Sequence, residues 1–200
     1  MDRQLSTYLN GREPQVITDI DVITAAVAVP LLEIDGEDHI LFTVRSQTLR
    51  RQPGEISFPG GHCESTDKTG AAAAIRECSE ELGIDSEQIE LLGALDCLVS
   101  AIGVKLHAVA VRLHTDEFCP NIDEVGEIFT VQLSYLLKME PTVGHLDIGT
   151  KPLRDFPFDL LEGYQIDWKI RQNYSVYFYP YKTYTIWGLT GRVLKNFLDL

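Results

Sequence analysis

The chain has 200 residues, 44% of them hydrophobic, so it is long and apolar enough to bury one sizeable core. Its formal net charge of −13 argues against a nucleic-acid-binding surface, because phosphate backbones are bound by clustered Lys and Arg. The four cysteines lack the two-residue spacing of a zinc knuckle or a redox dithiol, so we expect reduced, mostly packed thiols.

Residues 1–20 are polar and mixed, with room for a short helix before Gly11 and Pro14. We expect them to form an N-terminal extension packed on a single domain of residues 21–200. The first residues show no apolar run behind a basic segment, and no stretch of about 18 apolar residues occurs elsewhere. We therefore expect a cytoplasmic protein without membrane contact. For the oligomeric state we expect either a monomer or a homodimer.

Two apolar runs rich in β-branched residues and alanine, at residues 22–32 and 39–44, flank a turn at Gly36 and predict two adjacent core strands. A segment rich in Arg and Gly follows, and then an alanine-rich stretch predicts a helix over residues 69–82. Gly83 predicts the end of this helix, because glycine readily takes the left-handed conformation of a C-terminal cap.

The remaining elements are predicted from alternating or helical apolar patterns. They are strands at residues 89–98, 104–113, 127–131, 174–181 and 183–186, a short helix at 134–138, and a helical apolar stripe from Leu189 to Leu198. Strands interrupted by one helix and followed by another predict an α/β fold, specifically an α/β/α sandwich with a central mixed sheet.

On the predicted helix, Glu77, Glu80 and Glu81 point to one side, because residues three and four apart share a helix face. Their carboxylates repel one another by roughly 0.2–0.5 kcal/mol per pair, and the helix dipole near the C-terminal end disfavours each by about 0.3–1 kcal/mol. A bound cation would remove this cost, although an acidic helix face is usually solvated surface. Mg²⁺ or Mn²⁺ fits, since carboxylate oxygens are preferred ligands of such ions. Arg76 is placed to hold the Glu80 carboxylate in one orientation.

Residues 61–67 and 76–84 resemble the Nudix box, whose pattern is Gly, five residues, Glu, seven residues, then Arg-Glu-apolar-any-Glu-Glu-any-Gly-apolar. The second segment matches at every defined position when Cys78 counts as apolar. In the first, Asp67 stands where Glu is usual and eight residues separate it from Arg76, so we do not assign Asp67 to the metal. The resemblance implies a Nudix fold and a hydrolase in which water attacks a phosphorus atom.

A second set of residues resembles the extended motif of the coenzyme A diphosphatase subgroup. It comprises residues 41–46, Arg50, Gly54 and residues 58–61, with further similarity at 121–125 and 186–190. Gln132 stands where members of the subgroup typically have Pro. The resemblance implies cleavage of coenzyme A or its derivatives to 4′-phosphopantetheine, acylated if the substrate was, and adenosine 3′,5′-bisphosphate.

The resemblance also implies roles for single residues. Glu77 and Glu81 are the expected metal ligands, and Glu80 is either a third ligand or the group that orients the water. Gly60 and Gly61 have a simple explanation as turn residues, and as glycines they would also let backbone groups approach the substrate and the metal.

Arg76 and Glu124 join Glu80 as expected catalytic residues. Glu124 is a candidate general base, and a solvated loop acid is an equally good explanation for it. Four further residues are expected to contact the substrate: Arg45, Ser46, Arg50 and Arg51. The three arginines form a basic cluster in an acidic chain and can bind phosphate oxygens in bidentate fashion, with ordinary surface solvation as the alternative.

Two other functions stay open at this stage. The chain could hydrolyse another nucleoside diphosphate derivative such as ADP-ribose, or it could be a nucleotide-binding regulator that has lost catalysis. The aromatic residues near the C-terminus are expected mostly to pack a core, with adenine stacking as the alternative, and Trp187 is expected to be structural.

Overall fold

The structure is a computed structural model that describes Asn10, Glu13 and residues 21–161 and 163–200. Apart from Asn10 and Glu13, the N-terminal extension expected over residues 1–20 therefore lies outside the described residues, and its packing stays a prediction. Within the described ranges, no helix is long and apolar enough to cross a membrane.

Strands make up most of the regular secondary structure. They are β1 (Ile23–Ile34), β2 (Glu37–Arg45), β3 (Ile56–Ser57), β4 (Gly60–His62), β5 (Ile89–Ala94), β6 (Leu98–Val99), β7 (Val104–Leu113), β8 (Val125–Gln132), β9 (Thr142–Thr150), β10 (Lys169–Tyr181) and β11 (Tyr184–Ile186). The helices are α1 (Gly70–Leu82), α2 (Leu133–Leu136) and α3 (Gly188–Leu198), with short 3₁₀ turns at Ser86–Gln88 and Phe158–Leu160.

The larger sheet is mixed, as predicted. Its main path runs β3-β2-β1-β7-β5, while β4 pairs with β1, β6 with β7 and β8 with β2. The central pair β1 and β7 is parallel, and the other pairs are antiparallel. A smaller sheet, in the order β11-β10-β9, stands beside it.

The first two strands form a hairpin, which confirms that they are adjacent. Asp35 and Gly36 join them with φ angles of 53° and 80°. Positive φ at both central residues is the geometry of a two-residue type I′ turn, whose twist matches that of paired strands.

Helix α1 confirms the helix predicted over residues 69–82. The Thr69 hydroxyl accepts a hydrogen bond from the backbone N–H of Ala72 at 3.1 Å and so caps the first turn. At the other end, Gly83 has φ 64° and ψ 41°, the left-handed conformation predicted for it.

Two apolar cores lie on opposite faces of the large sheet. Ala28 of β1 and Leu41 of β2 pack with the buried face of α1, whereas Val29 and Ile40 pack in the second core with α2 and α3. Because neighbouring residues of a strand point to opposite faces, the same two strands supply both cores. A helix layer therefore covers each face, which confirms the α/β/α sandwich.

The strand predictions were incomplete in several places. Residues 89–98 form two strands, β5 and β6, and not one, while β10 begins at Lys169, five residues earlier than predicted. The short strands β3 and β4 were not predicted, and neither was the longer strand β9. Most of its side chains are exposed, and Gly144 and Gly149 interrupt it, so it lacks the alternation of apolar and polar residues that marks a half-buried strand.

Candidate active site

The last two turns of α1 carry acidic side chains into the protein. Glu81 is only 7% exposed, and burial, with further effects from Glu124 and Glu77, raises the pKa of its carboxyl to about 8. Burial also raises the pKa of Glu77, against the opposing effect of a hydrogen bond from Arg76. These acids are close enough to disfavour each other's ionised form, which is the situation that a bound cation relieves.

Strand β4 brings two glycines against these acids. A Cβ on Gly60 would lie 2.3 Å from the carbonyl oxygen of Ala26, so only glycine allows β4 to pair this closely with β1. A Cβ on Gly61 would lie 2.4 Å from the Glu77 carboxylate. The backbone of Gly61 is thus in direct contact with an acid of the site, and a backbone hydrogen bond from Gly60 opposes the raised pKa of Glu81.

The loop before β8 places Glu124 in the same region as the acids of α1. The backbone N–H of Asn121 donates to the carbonyl oxygen of Glu81 at 3.0 Å, and its side-chain amide donates to the Glu124 carboxylate at 3.2 Å. Asn121 therefore links the end of α1 to the side chain of Glu124. The sequence motif includes Asn121 but gave it no role of its own, because its contact with α1 is made across 40 residues of chain.

Arg76 is the centre of a charged network. Its guanidinium donates to both oxygens of Asp67, at 3.2 Å from Nε and 3.0 Å from Nη2, and to the carbonyl oxygen of His62 at 3.1 Å. Its Nη1 donates to Glu77 at 2.9 Å and to Glu80 at 3.2 Å. The expected contact between Arg76 and Glu80 is present, and the partner that sequence reasoning left without a role, Asp67, holds the other side of the guanidinium.

Glu80 differs from its two neighbours in position. Its side chain is 57% exposed, and it does not line the cleft that Glu77 and Glu81 line. Of the three glutamates of the motif, Glu77 and Glu81 therefore line the cleft, whereas Glu80 lies outside it on the surface and is paired with Arg76. We call the position of Glu80 the rim of the site. The role of Glu80 as a ligand or as a water-orienting group stays a prediction.

A cleft of about 1130 Å³ opens over the acids. Glu77, Glu81 and Glu124 line it together with Arg45 and Arg51, so cations and carboxylates share one cavity. Gly60 and Gly61 also contribute to its wall. The structure brings together most of the residues that the motifs singled out, although they come from four separate parts of the chain.

Arg45 ends β2 at the cleft wall. Its Nη2 donates to the carbonyl oxygen of Arg51 at 3.4 Å, while its buried Nε has no hydrogen-bond partner within the described residues. Its charge lowers the pKa of Glu81, opposing the effect of burial. A buried guanidinium N–H without a partner is costly, and a hydrogen-bond acceptor in the cleft would remove that cost.

Two other expected substrate contacts lie elsewhere. Arg50 is exposed and does not line the cleft. Ser46 is buried, its hydroxyl pairs with that of Thr48 at 2.9 Å, and its backbone N–H donates to the carbonyl oxygen of Glu124 at 2.8 Å. In this structure Ser46 supports the loop that carries Glu124, and its contact with substrate stays a prediction.

The donor set fits a hard divalent ion. Glu77, Glu81 and Glu124 provide carboxylate oxygens in one cleft, and Gly61 leaves the space beside Glu77 free of a side chain. Within the described parts of the chain, no three His, Cys, Asp or Glu side chains are already arranged as a metal site.

Comparisons with known proteins agree with the motifs. The model of the NUDIX domain family matches residues 23–136. The mouse peroxisomal coenzyme A diphosphatase NUDT7 is 38% identical over 138 residues, which are 66% of this chain and 55% of that protein. An uncharacterized Nudix hydrolase, NudL of Photorhabdus laumondii, is 32% identical over 86% of this chain and 81% of its own length.

A similar solved structure is that of a Caenorhabditis elegans Ap4A hydrolase in a binary complex. It has a TM-score of 0.48 and 20% identity, covering 58% of this chain and 85% of that one. Nudix hydrolases act on nucleoside diphosphate derivatives and generally use divalent metal ions. Because the family model covers more than half of the chain, and a relative above 30% identity covers most of it, this protein belongs to the Nudix hydrolase family.

Proposed function

We propose that the protein hydrolyses the diphosphate bond of coenzyme A or a derivative, using Mg²⁺ or Mn²⁺. The products are 4′-phosphopantetheine, or its acyl form, and adenosine 3′,5′-bisphosphate. The observation that carries this proposal is the cleft in which Glu77, Glu81 and Glu124 meet Arg45. The mouse relative, whose name records a coenzyme A diphosphatase, and the extended arginine motif favour coenzyme A among the possible diphosphates.

Glu77 and Glu81 are the proposed ligands of the ion, with Glu80 at the rim as a third ligand or a water-orienting group. The carbonyl or amide of Gly61 is proposed to approach the same ion, because the Glu77 carboxylate occupies the space beside Gly61 where a side chain would stand. A bound Mg²⁺ or Mn²⁺ would neutralise charge on the diphosphate and favour ionisation of the attacking water.

Glu124 is the proposed general base. Its carboxylate is close enough to Glu81 to raise the pKa of that residue, and the Asn121 side chain holds one of its oxygens. In the reaction, Glu124 takes a proton from water as the water oxygen bonds to phosphorus and the P–O bond of the anhydride breaks. Arg76 keeps Glu77 and Glu80 oriented while this occurs.

Arg45 and Arg51 are proposed to bind the phosphate oxygens of the substrate, since both line the cleft. Gly60 also lines the cleft, whereas Arg50 and Ser46 do not and are proposed to contribute less to substrate binding. The variants Arg45→Met and Arg50→Met compare an arginine that lines the cleft with one that does not. If an arginine must line the cleft to bind the substrate, KM rises strongly for Arg45→Met and little for Arg50→Met. Equal increases in KM would contradict the assignment of Arg45.

The experiment that tests the function compares turnover of coenzyme A, dephospho-coenzyme A and ADP-ribose by the purified protein with Mg²⁺, and identifies the products. We expect the highest kcat/KM for coenzyme A or a thioester of it. A clear preference for ADP-ribose would overturn the substrate assignment and favour the other nucleoside diphosphate class. Reaction in ¹⁸O-water then identifies the phosphorus that is attacked.

The cytoplasmic location and the choice between monomer and homodimer stay predictions.

A further inference from the structure

One aromatic pair belongs to neither core. The rings of Phe178 and Trp187 stack with centroids 5.8 Å apart and an interplanar angle of 6°. Neither residue is part of the two apolar cores. Trp187 is 42% exposed and lines the same cleft as Glu81 and Arg45. The expectation that Trp187 is purely structural therefore does not account for its position.

The other aromatic residues of β10 show the contrast. Tyr177, Tyr179 and Tyr181 pack in the second core, as expected for aromatic residues of a strand. Phe178 lies between them and points to the opposite face, because strand side chains alternate. Phe178 shares that face of β10 with Tyr174 and Val176, which line the cleft, and Trp187 stacks on its ring there. The exposed face of the indole gains little from burial within the protein.

The backbone that carries the Phe178–Trp187 pair is tightly packed. A Cβ on Gly144 would lie 3.2 Å from the Phe178 ring, so that ring rests on the backbone of β9. The carbonyl oxygen of Trp187 accepts a hydrogen bond from the backbone N–H of Gly191 at 3.0 Å. A Cβ on Gly191 would in turn lie 2.6 Å from the carbonyl oxygen of Tyr177, which pins α3 against β10.

The same helix is tied to the arginine segment. The Thr190 hydroxyl donates to the carbonyl oxygen of Ile56 in β3, the strand that follows Arg51 by a few residues, at 3.1 Å. The wall that carries Trp187 and the wall that carries the cleft arginines are therefore joined by a direct hydrogen bond. A ligand held by its phosphates on the arginines would meet an aromatic surface already set in place.

We propose that the exposed face of Trp187 stacks on the nucleobase of the substrate, with Phe178 as the support behind it. This assignment rests on the proposed function, because it places a nucleoside diphosphate in this cleft. A base is a flat, neutral, polarisable group, and stacking requires no positive charge, which suits an acidic protein. Trp187 would then select nucleotides over phosphorylated compounds without a base.

Kinetic variants give the first test. Trp187→Leu should raise KM for coenzyme A roughly 5- to 100-fold with little change in kcat, because stacking binds substrate and transition state alike. Trp187→Phe keeps an aromatic face and should restore most of the affinity. The matched control is Trp168→Leu, since Trp168 is also exposed but does not line the cleft. An unchanged KM in Trp187→Leu would overturn the proposal.

Fluorescence gives a test that needs no turnover and does not depend on the folding of Trp187→Leu. The chain has two tryptophans, so Trp168→Phe leaves Trp187 as the single indole emitter. We expect adenosine 3′,5′-bisphosphate and AMP to quench it, and 4′-phosphopantetheine and ribose 5-phosphate not to. Equal quenching by all four compounds, or by none, would overturn the proposal. Base-dependent quenching without turnover of coenzyme A would reject the proposed substrate and retain the stacking role.

Discussion

Gly83 lies so close to Cys119 that a Cβ on the glycine would be 1.9 Å from the cysteine carbonyl oxygen. Gly83 ends α1, and Cys119 begins the loop that leads to Glu124. The backbone N–H of Cys119 also donates to the carbonyl oxygen of Leu82 at 3.0 Å. The last turn of α1 and this loop are therefore packed as one unit, and the distance between Glu81 and Glu124 depends on a residue without a side chain.

Gly83→Ala should destabilise the protein by about 2–5 kcal/mol, from the left-handed conformation and from the clash with Cys119 together. Gly36→Ala is the matched control, because Gly36 also has a positive φ but nothing lies within 4 Å of its Cβ position. It should lose only about 1–2 kcal/mol. Denaturant unfolding measures the free energy of unfolding of both variants. Equal losses of stability would mean that the contact with Cys119 does not add to the cost of the substitution.

Gly61→Ala tests the contact with Glu77. The new methyl group would meet a flexible carboxylate and not backbone, so the side chain can move and the fold should survive. Displacing Glu77 should lower kcat/KM about 10- to 100-fold, since small misplacements of a catalytic group are costly. Gly93→Ala, where the added Cβ has open space, is the control and should keep full activity. Thermal unfolding separates this effect from misfolding; activity equal to that of Gly93→Ala would contradict it.

Asp67→Asn tests the support of Arg76. Arg76 lowers the pKa of the Asp67 carboxyl, so Asp67 stays ionised as a partner of the guanidinium. Losing that charge should loosen Arg76 and raise the Mg²⁺ concentration for half-maximal activity about 10- to 100-fold, as for other residues behind a metal site. Asp38→Asn is the control, because Asp38 pairs with Arg112 and neither residue lines the cleft. A Mg²⁺ titration in which both variants behave alike would argue against the role of Asp67.

The carboxyl of Glu81 predicts a dependence of stability on pH. Its pKa is raised to about 8 in the folded protein, compared with about 4.3 in an unfolded chain. The stabilisation from this group is therefore complete below about pH 4.3 and is lost as the pH rises through about 8. Glu81→Gln, neutral at every pH, should not lose this contribution, which is on the order of a few kcal/mol.

Thermal unfolding with a chelator and with Mg²⁺, from about pH 5 to about pH 9, measures this effect. The Tm difference between Glu81→Gln and the wild type should grow with pH in chelator. Mg²⁺ should raise the Tm of the wild type more at high pH, and that of Glu81→Gln hardly at all.

The Glu81→Gln variant should also lose turnover by roughly 10²- to 10⁴-fold. A wild-type rate at saturating Mg²⁺ would reject Glu81 as a ligand.

Local patterns were sufficient for the elements that depend on local physics. Thr69, the alanine run and Gly83 specify where α1 begins and ends, because capping and helix propensity act within a few residues. Gly36 likewise marks the β1–β2 turn. Strand β9 was not predicted because its side chains are mostly exposed. Its sequence therefore lacks the apolar alternation that would indicate a strand paired with β10.

The candidate site divides in the same way. The spacing of Glu77, Glu80 and Glu81 along a helix is a property of the sequence alone, and so is their resemblance to a metal-binding motif. Which of them is buried could not be inferred from spacing. Burial depends on β4 and on the loop before β8, which are distant in sequence from α1.

By itself, therefore, the sequence determined the acidic helix, the arginine-rich segment and the family to which they point. Only the tertiary structure decided that Glu124 joins Glu77 and Glu81 while Glu80 stays at the rim, and that Trp187 faces the cleft. The physical reason is that contacts such as Asn121 to Glu81 and Thr190 to Ile56 form between segments that are distant in sequence and have no local pattern in common. Packing of the whole sandwich brings them together, and no single segment encodes it.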